Sequence, residues 1–104
     1  MAKALRLLES DPSLTAEKLG ESLRLSASRV ARLFKSELGV SLVEYRNGLR
    51  LERFSRLLDE RGGNLLEAAL AAGFGSYSQF YRVFVAQRGT TPGGYLRARG
   101  SRQK

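Results

Sequence analysis

The feature that most constrains the fold is an internal repeat, because the chain matches itself when it is shifted by 50 residues. The identical pairs are Ser26/Ser76, Ser28/Ser78, Arg32/Arg82, Phe34/Phe84, Gly39/Gly89 and Tyr45/Tyr95. Repetition at a fixed spacing indicates that one supersecondary unit occurs twice. Packing accounts for the repeated core and turn positions, but not for the repeated outward arginine and serine. The repeat therefore predicts two equivalent binding surfaces rather than two folds that are merely similar.

Each copy of the repeat has the pattern of a short helix, a turn and a longer helix. In the second copy, residues 73–75 hold two glycines that allow a sharp turn, and Ser76 is a suitable N-cap. One apolar stripe follows at positions i, i+3 and i+4, formed by Phe80, Val83 and Phe84. Ser78, Gln79 and Arg82 lie on another face. This pattern predicts a helix-turn-helix motif, whose second helix enters the major groove of DNA.

Local start and stop signals place helices along the whole chain. Asp11 precedes Pro12 and so ends a first helix, and Gly39 closes the third. Ser41 and Glu44 form a capping box that opens a helix of about 20 residues. The predicted helices span residues 2–10, 16–23, 26–38, 42–61, 65–72 and 76–88, and a last helix begins at 91–92. The sequence therefore predicts an all-α fold.

These helices group into two helix-turn-helix subdomains joined by a long linker helix. We expect the first subdomain at residues 1–40, the linker helix at 41–61, the second subdomain at 62–98 and a basic tail at 99–104. A linker of that length rises about 30 Å, and one turn of DNA is about 34 Å. We therefore expect the two recognition helices to reach successive major grooves.

Composition and charge narrow the class of function. The net charge is +8, and residues 62–104 carry six basic side chains but a single acidic one, Glu67. This imbalance favours a polyanionic partner. The chain has no cysteine and no histidine, which removes the commonest zinc ligands and general bases. Its sequence shows no signal peptide and no apolar run that could span a bilayer. We expect no catalytic residues, no cofactor or metal and no membrane partner.

A longer motif points to a family. It runs Ala69-x-x-x-Gly73-Phe74-x-Ser76-x-Ser78-x-Phe80-x-Arg82-x-Phe84 and continues as Gly89-x-Thr91-Pro92-x-x-Tyr95. With the matching positions of the first copy, it resembles the DNA-binding domain of AraC/XylS-type bacterial transcription regulators over about residues 5–98. The resemblance implies seven helices in two homeodomain-like helix-turn-helix subdomains. It also implies sequence-specific binding to operator or promoter DNA in the cytoplasm, usually with activation of transcription through contact with RNA polymerase.

The resemblance also implies roles in DNA binding, position by position. Base contacts would come from Ser28, Ala31, Arg32, Tyr77, Ser78, Gln79 and Arg82, and phosphate contacts from Arg29, Lys35, Ser41 and Thr91. Ser41 and Thr91 open helices, and the free N–H groups at a helix N-terminus suit an anion. Ala31 cannot hydrogen-bond a base. Tyr77 suits contact with a thymine methyl group or a phosphate about as well as it suits packing on the turn.

Several positions depart from the family pattern. Gly20 stands where alanine is usual, and we expect this to cost less than about 1 kcal/mol of helix stability. Arg46 replaces an aliphatic residue and Phe54 replaces an alanine. Ala68 is smaller than the usual isoleucine or leucine, and Val85 replaces a basic residue. We expect these changes to affect the packing more than the fold.

The function predicted from these observations is that of a sequence-specific DNA-binding transcription regulator, and an activator is the usual case in the family. The alternative is a helical module for non-specific nucleic-acid binding or protein contacts. An enzyme is disfavoured, since caps and helix surfaces account for the acidic residues. Family members usually carry a sensing or dimerising domain before this one. We therefore interpret the chain as the excised C-terminal domain of such a regulator, or as a short stand-alone one.

Overall fold

The computed structural model describes the backbone of residues 1–102 and the side chains of residues 1–98. Across this part of the chain the fold is helical throughout, with seven helices and no strand. They are α1 (Ala2–Ser10), α2 (Ala16–Leu23), α3 (Ala27–Leu38), α4 (Leu42–Arg61), α5 (Leu65–Ala71), α6 (Tyr77–Arg88) and α7 (Pro92–Arg102). The predicted all-α architecture is confirmed. The predicted basic tail falls at 99–104, where the side chains lie outside the described part of the chain.

The chain divides into two compact units, Met1–Leu49 and Arg50–Lys104. The division falls within α4, so this helix contributes side chains to the core of each unit. The core of the first unit is buried between α1, α2, α3 and the start of α4, and consists of Ala4, Leu8, Leu19, Val30, Phe34 and Leu42. That residues 41–61 act as a linker helix separate from the two subdomains stays a prediction.

The core of the second unit is built around aromatic rings, with Phe80 of α6 in contact with three other phenylalanines. The distances between ring centroids are 4.6 Å to Phe54, 5.4 Å to Phe74 and 5.6 Å to Phe84. Ala68 of α5 is buried in the same cluster as Phe54. Phe54 is larger, and Ala68 is smaller, than the residue that is usual at its position in the family. Both of these differences therefore lie in the same core.

The repeat is present in the structure as well as in the sequence. The predicted recognition helices, α3 and α6, each contain 12 residues and lie 50 residues apart in the chain. Both end at a glycine with positive φ, Gly39 at 76° and Gly89 at 74°, a conformation that side chains rarely adopt. An edge-to-face aromatic pair then joins each recognition helix to the next helix. The centroid distances are 5.9 Å for Phe34–Tyr45 and 5.4 Å for Phe84–Tyr95.

The 50-residue shift does not extend back to the first helix of each helix-turn-helix motif. Thr15, the N-cap of α2, corresponds to Asn64, the N-cap of α5, at a spacing of 49. Ser26 and Ser76, the N-caps of α3 and α6, are spaced by 50. The segment from the N-cap of α5 to the N-cap of α6 is therefore one residue longer than the segment from the N-cap of α2 to the N-cap of α3.

The extra residue lies in the turn between α5 and α6. In the first unit the backbone N–H of Leu25 donates to the carbonyl oxygen of Gly20 at 2.9 Å. In the second unit the N–H of Phe74 donates in the same way to Ala69 at 3.2 Å. Leu25 is followed directly by the N-cap Ser26, whereas Gly75 stands between Phe74 and the N-cap Ser76. Gly75 is therefore the residue without a counterpart.

Gly20 has a packing role that corrects the expectation for this position. A Cβ atom on Gly20 would lie 2.3 Å from the carbonyl oxygen of Leu25 and 3.3 Å from its carbon. Both are backbone atoms, which cannot move aside as a flexible side chain could. Alanine exceeds glycine in helix propensity by about 1 kcal/mol, but forcing atoms into a packed site costs about 1–3 kcal/mol. The expectation that glycine is the less favourable residue here is therefore wrong.

Arg46 is held within the first unit. Its Nη2 donates a hydrogen bond to the carbonyl oxygen of Leu14, in the segment between α1 and α2. Its Nε is buried and has no hydrogen-bond partner among the described residues. This hydrogen bond links α4 to the segment between α1 and α2, and it gives the Arg46 guanidinium a partner within the protein.

We expect Gly20→Ala to lower the free energy of unfolding by about 1–3 kcal/mol, because the new methyl group would meet the Leu25 backbone. Urea denaturation followed by circular dichroism measures the change. Gly93→Ala is the matched control, since a Cβ there would meet only Arg97 Nη1 at 3.8 Å. That variant should be neutral or stabilising, as helix propensity alone predicts. Equal stabilisation by both substitutions would contradict the packing role of Gly20.

Candidate nucleic-acid interface

The first turn of each recognition helix is fixed by its N-cap serine. The Oγ of Ser26 accepts a hydrogen bond from the backbone N–H of Arg29 at 3.2 Å. The Oγ of Ser76 accepts one from the N–H of Gln79 at 3.1 Å. These bonds satisfy donors that an uncapped helix leaves free. The backbone of the first turn is thus capped in the same way in both units.

On α3, the predicted DNA contacts all lie on the solvent side. Val30 and Phe34 are buried, and the exposed predicted contacts are Ser28, Arg29, Ala31, Arg32 and Lys35. Arg29 and Arg32 line an open surface depression of about 500 Å³ together with Leu25, Leu33 and Ser36. The structure therefore places two guanidinium groups side by side on one face of α3. This arrangement suits phosphate oxygens and the acceptor atoms of guanine.

On α6, the exposed face combines polar and apolar groups. Ser78 and Arg82 are exposed, at positions that correspond to Ser28 and Arg32. The ring of Tyr77 packs against Phe80, at a centroid distance of 5.4 Å, yet keeps 36% of its surface exposed. Tyr77 therefore packs on the turn and still offers part of its ring to a ligand.

Two further side chains of α6 lie on its exposed surface and were not among the predicted contacts. Tyr81 is 41% exposed and Val85 is 37% exposed. With Tyr77 they fall at positions i, i+4 and i+8, which places them in one stripe along the helix. That spacing was visible in the sequence, and an apolar stripe beside Arg82 suits contact with thymine methyl groups.

Gln79 differs from the other predicted base contacts, because its side chain is already engaged. Its Oε1 accepts a hydrogen bond from the backbone N–H of Gly75 at 2.7 Å. The residue is half-buried, whereas the other predicted base contacts are exposed. Gln79 therefore acts as a second cap at the start of α6, alongside Ser76.

The predicted phosphate contacts Ser41 and Thr91 are both N-caps, but their surroundings differ. The Oγ of Ser41 accepts from the N–H of Glu44, while the Ser41 N–H donates to a Glu44 carboxylate oxygen, each at 3.1 Å. The Oγ1 of Thr91 accepts from the N–H of Gly94 at 3.0 Å, and the first turn of α7 has no acidic residue. An anion at Ser41 would meet a nearby carboxylate. We therefore expect Thr91 to be the better phosphate contact.

The capping box also affects the titration of Glu44. The hydrogen bond from the Ser41 backbone lowers the pKa of the Glu44 carboxyl below its ordinary value, and the Ser41 side chain and Lys35 act in the same direction. Partial desolvation opposes them. The carboxylate form of Glu44 is thus favoured by the fold of this helix start.

Other kinds of site find little support in the described residues. None of the helices there combines the length and the apolar character needed to cross a bilayer. In the same part of the chain, no group of three or more acidic side chains is placed to hold a metal ion. The exposed faces of α3 and α6 carry polar and cationic side chains.

Comparisons with known proteins identify the family of the chain. A family model described as a helix-turn-helix domain matches residues 19–98. The HTH-type transcriptional regulator MtrA of Neisseria gonorrhoeae is 31% identical over 86 residues, which are 83% of this chain and 29% of that protein. A putative AraC-like transcription regulator of Streptomyces lividans is 34% identical over 97 residues, which are 91% of this chain and 32% of that protein. The chain thus spans about a third of the length of these curated relatives.

A solved structure shows the same fold. It is a transcriptional regulator with an AraC-type DNA-binding domain from Chromobacterium violaceum, and it superposes with a TM-score of 0.77 at 28% sequence identity. The match covers 88% of this chain and 83% of that one.

We expect Glu44→Gln to lower the melting temperature at neutral pH, and the difference from the native protein to shrink in acid. A pKa lowered by folding means that the carboxylate stabilises the folded state above its ordinary pKa of 4.5. That contribution is lost as the pH falls through the lowered value. Melting curves at a series of pH values from neutral to acid measure it, with Glu52→Gln as the control for loss of an exposed charge. A difference for Glu44→Gln that is independent of pH would contradict the capping role.

Proposed function

The chain belongs to the AraC/XylS family of helix-turn-helix DNA-binding domains, and on that premise we propose that it binds a specific double-stranded DNA sequence as part of a bacterial transcription regulator. The observation that carries the proposal is the duplicated surface. Each unit buries a phenylalanine, caps its recognition helix with a serine, and leaves an arginine exposed at the same position. DNA presents the same groove and the same phosphates at every turn, which suits a repeated surface.

Each recognition helix would enter a major groove with its first turns against the base edges. Arg32 and Arg82 would donate to guanine, since a guanidinium matches the O6 and N7 acceptors. Ser28 and Ser78 are exposed short polar groups at equivalent positions of the two helices, and Ala31 and Tyr77 would make apolar contacts. Entry into successive major grooves stays a prediction.

Contacts with the phosphate backbone would fix the position of each helix without reading sequence. The residues proposed for this role are Arg29, Lys35, Ser41 and Thr91. The net charge of +8 adds a general attraction to DNA, because bound cations release counterions from the phosphates.

The wider role of the protein is inferred from its relatives. These relatives are transcription regulators, and one of them is described as AraC-like. We propose that this chain serves the same purpose in the bacterial cytoplasm and has no catalytic activity. Activation through contact with RNA polymerase, and a sensing or dimerising domain elsewhere in a longer protein, belong to the same proposal. The chain spans about a third of the length of these relatives, which is consistent with both parts of the proposal.

The main competing function is non-specific binding to nucleic acid, which the net charge alone would support. Selection from a random DNA pool gives a candidate site, and binding to that site and to a scrambled version is then titrated with salt. Specific binding predicts a higher affinity for the selected site at every salt concentration, while both affinities fall as salt rises. Equal affinities for the two DNAs would refute the proposed function.

We expect Arg82→Ala to weaken binding to the selected site by about 1–3 kcal/mol, which is the usual value of a good contact to guanine. Arg32→Ala should have a similar effect in the other unit. Binding to scrambled DNA should fall much less, because one charge among many is lost. Arg6→Ala is the matched control, since it removes an exposed arginine from α1.

Fluorescence anisotropy measures the affinities, and circular dichroism confirms that each variant is folded. A folded Arg82→Ala protein with unchanged affinity for the selected site would exclude a base contact by Arg82. A loss of the same size on both DNAs would assign Arg82 to the phosphate backbone instead.

A further inference from the structure

An apolar stripe runs along α6 and is formed by Tyr77, Tyr81 and Val85. The three side chains fall at positions i, i+4 and i+8, and they keep 36%, 41% and 37% of their surface exposed. The ring centroids of Tyr77 and Tyr81 are 6.4 Å apart, and Val85 follows Tyr81 by one helical turn. The three side chains are therefore neighbours on one exposed apolar surface.

This stripe lies beside Arg82, the cation proposed to contact guanine. Val85 follows Arg82 by three positions, and residues at that spacing are neighbours on a helix surface. Phe80 and Phe84, by contrast, are fully buried and mark the side of α6 that faces the core. A helix that brings Arg82 to the base edges therefore also brings Val85 and Tyr81 close to the same groove.

The corresponding positions of the first unit carry smaller or charged side chains. They are Ala27, Ala31 and Lys35 of α3. The core of the second unit consists of other residues, so Tyr81 and Val85 are not needed to fill it. A role at the surface of α6 therefore accounts for these two side chains better than a role in packing.

The surroundings of the stripe are cationic. The sequence of α6 contains two arginines, Arg82 and Arg88, and no acidic residue, and both arginines are exposed. Such a surface suits a partner that is apolar at the stripe and anionic around it. The major groove of DNA fits this description, because phosphates border it and thymine presents a C5-methyl group inside it. Charge complementarity therefore favours DNA over an apolar protein surface as the partner of the stripe.

The chemistry of Val85 limits what the stripe can read. Its side chain has no donor and no acceptor, so it cannot bond to O4 of thymine or to N4 of cytosine. The group within its reach is the methyl group on C5, which projects into the major groove. We propose that Tyr81 and Val85 read the C5-methyl group itself, whether thymine or 5-methylcytosine carries it. Methylation of cytosine at the base they face therefore strengthens binding. This inference rests on the proposed function.

The first experiment removes the methyl group from the DNA and leaves every hydrogen-bonding group in place. Each thymine of the motif selected from a random pool is replaced in turn by deoxyuridine, and fluorescence anisotropy measures the affinity. We expect at least one replacement to weaken binding about fourfold, which corresponds to about 0.8 kcal/mol for one buried methyl group. At that position 5-methylcytosine should bind more tightly than cytosine by the same factor, measured at low salt to keep weak complexes detectable. A motif in which no thymine responds would overturn the inference.

The second experiment removes the stripe from the protein. A double variant with Tyr81→Ala and Val85→Ala should bind the thymine and deoxyuridine sites equally at the responding position. Val43→Ala is the matched control, because it makes the same change at an exposed valine of α4, and it should keep the fourfold ratio. Tyr81→Phe should keep the ratio too, since the ring stays and only the hydroxyl group is lost. A double variant that keeps the ratio at every thymine, or a Tyr81→Phe variant that loses it, contradicts the methyl contact.

The outcomes separate this inference from the proposed function. A native protein that selects a motif but binds thymine and deoxyuridine equally refutes the methyl contact and leaves the function standing. If the double variant then also binds that motif with native affinity, the stripe is assigned to a protein partner instead. A native protein that selects no motif refutes the proposed function, and the inference with it. If the double variant does not fold, as melting curves would show, Val85→Ala alone decides, and an unchanged ratio of thymine to deoxyuridine affinity refutes the inference.

Discussion

The burial of Phe34 and Phe84 determines which side of each recognition helix is free to meet a ligand. Both rings are fully buried, and each packs edge to face on a tyrosine of the following helix. With 3.6 residues in each turn, a side chain two positions away points to nearly the opposite side of a helix. Arg32 and Arg82 stand two positions before these rings and are exposed. The contact that stabilises each unit therefore also turns its arginine outward, so stability and the presentation of the binding surface have one cause.

Helix ends were predictable because the interactions that set them are local. Ser26 and Ser76 each bond to the backbone N–H three residues later, and the glycines that close α3 and α6 follow directly in the chain. The exposure of Arg32 and Arg82 was predictable for the same reason, since it follows from apolar spacing within one helix. A reader of the sequence needs only a few neighbouring residues to recognise these features.

Features that depend on how the chain turns were not predictable. The closeness of Gly20 to the Leu25 carbonyl depends on the path of the backbone after α2, which residue type alone does not specify. Arg46 meets Leu14 across 32 positions of sequence. Gln79 is the clearest case within the site, because its pattern matches an outward polar residue and its oxygen is nevertheless held by the turn. That contact exists because the turn before α6 is one residue longer than the turn before α3. The match at a shift of 50 residues includes Ser26 and Ser76, which follow these turns, and so it does not show the difference in length.

The two units share the residues that hold the recognition helix and differ in the residues beside the arginine. Arg29 of the first unit corresponds to Gln79 of the second, and Glu44 corresponds to Gly94. The shared residues stabilise the fold of each unit, and the exchange between Arg29 and Gln79 changes the groups that the helix offers to a ligand. The first helix thus offers a second guanidinium, and the second offers a carboxamide and two exposed tyrosine rings. Two helices with different side chains are suited to different runs of bases, so we expect the DNA site of the proposed function to have two unlike halves.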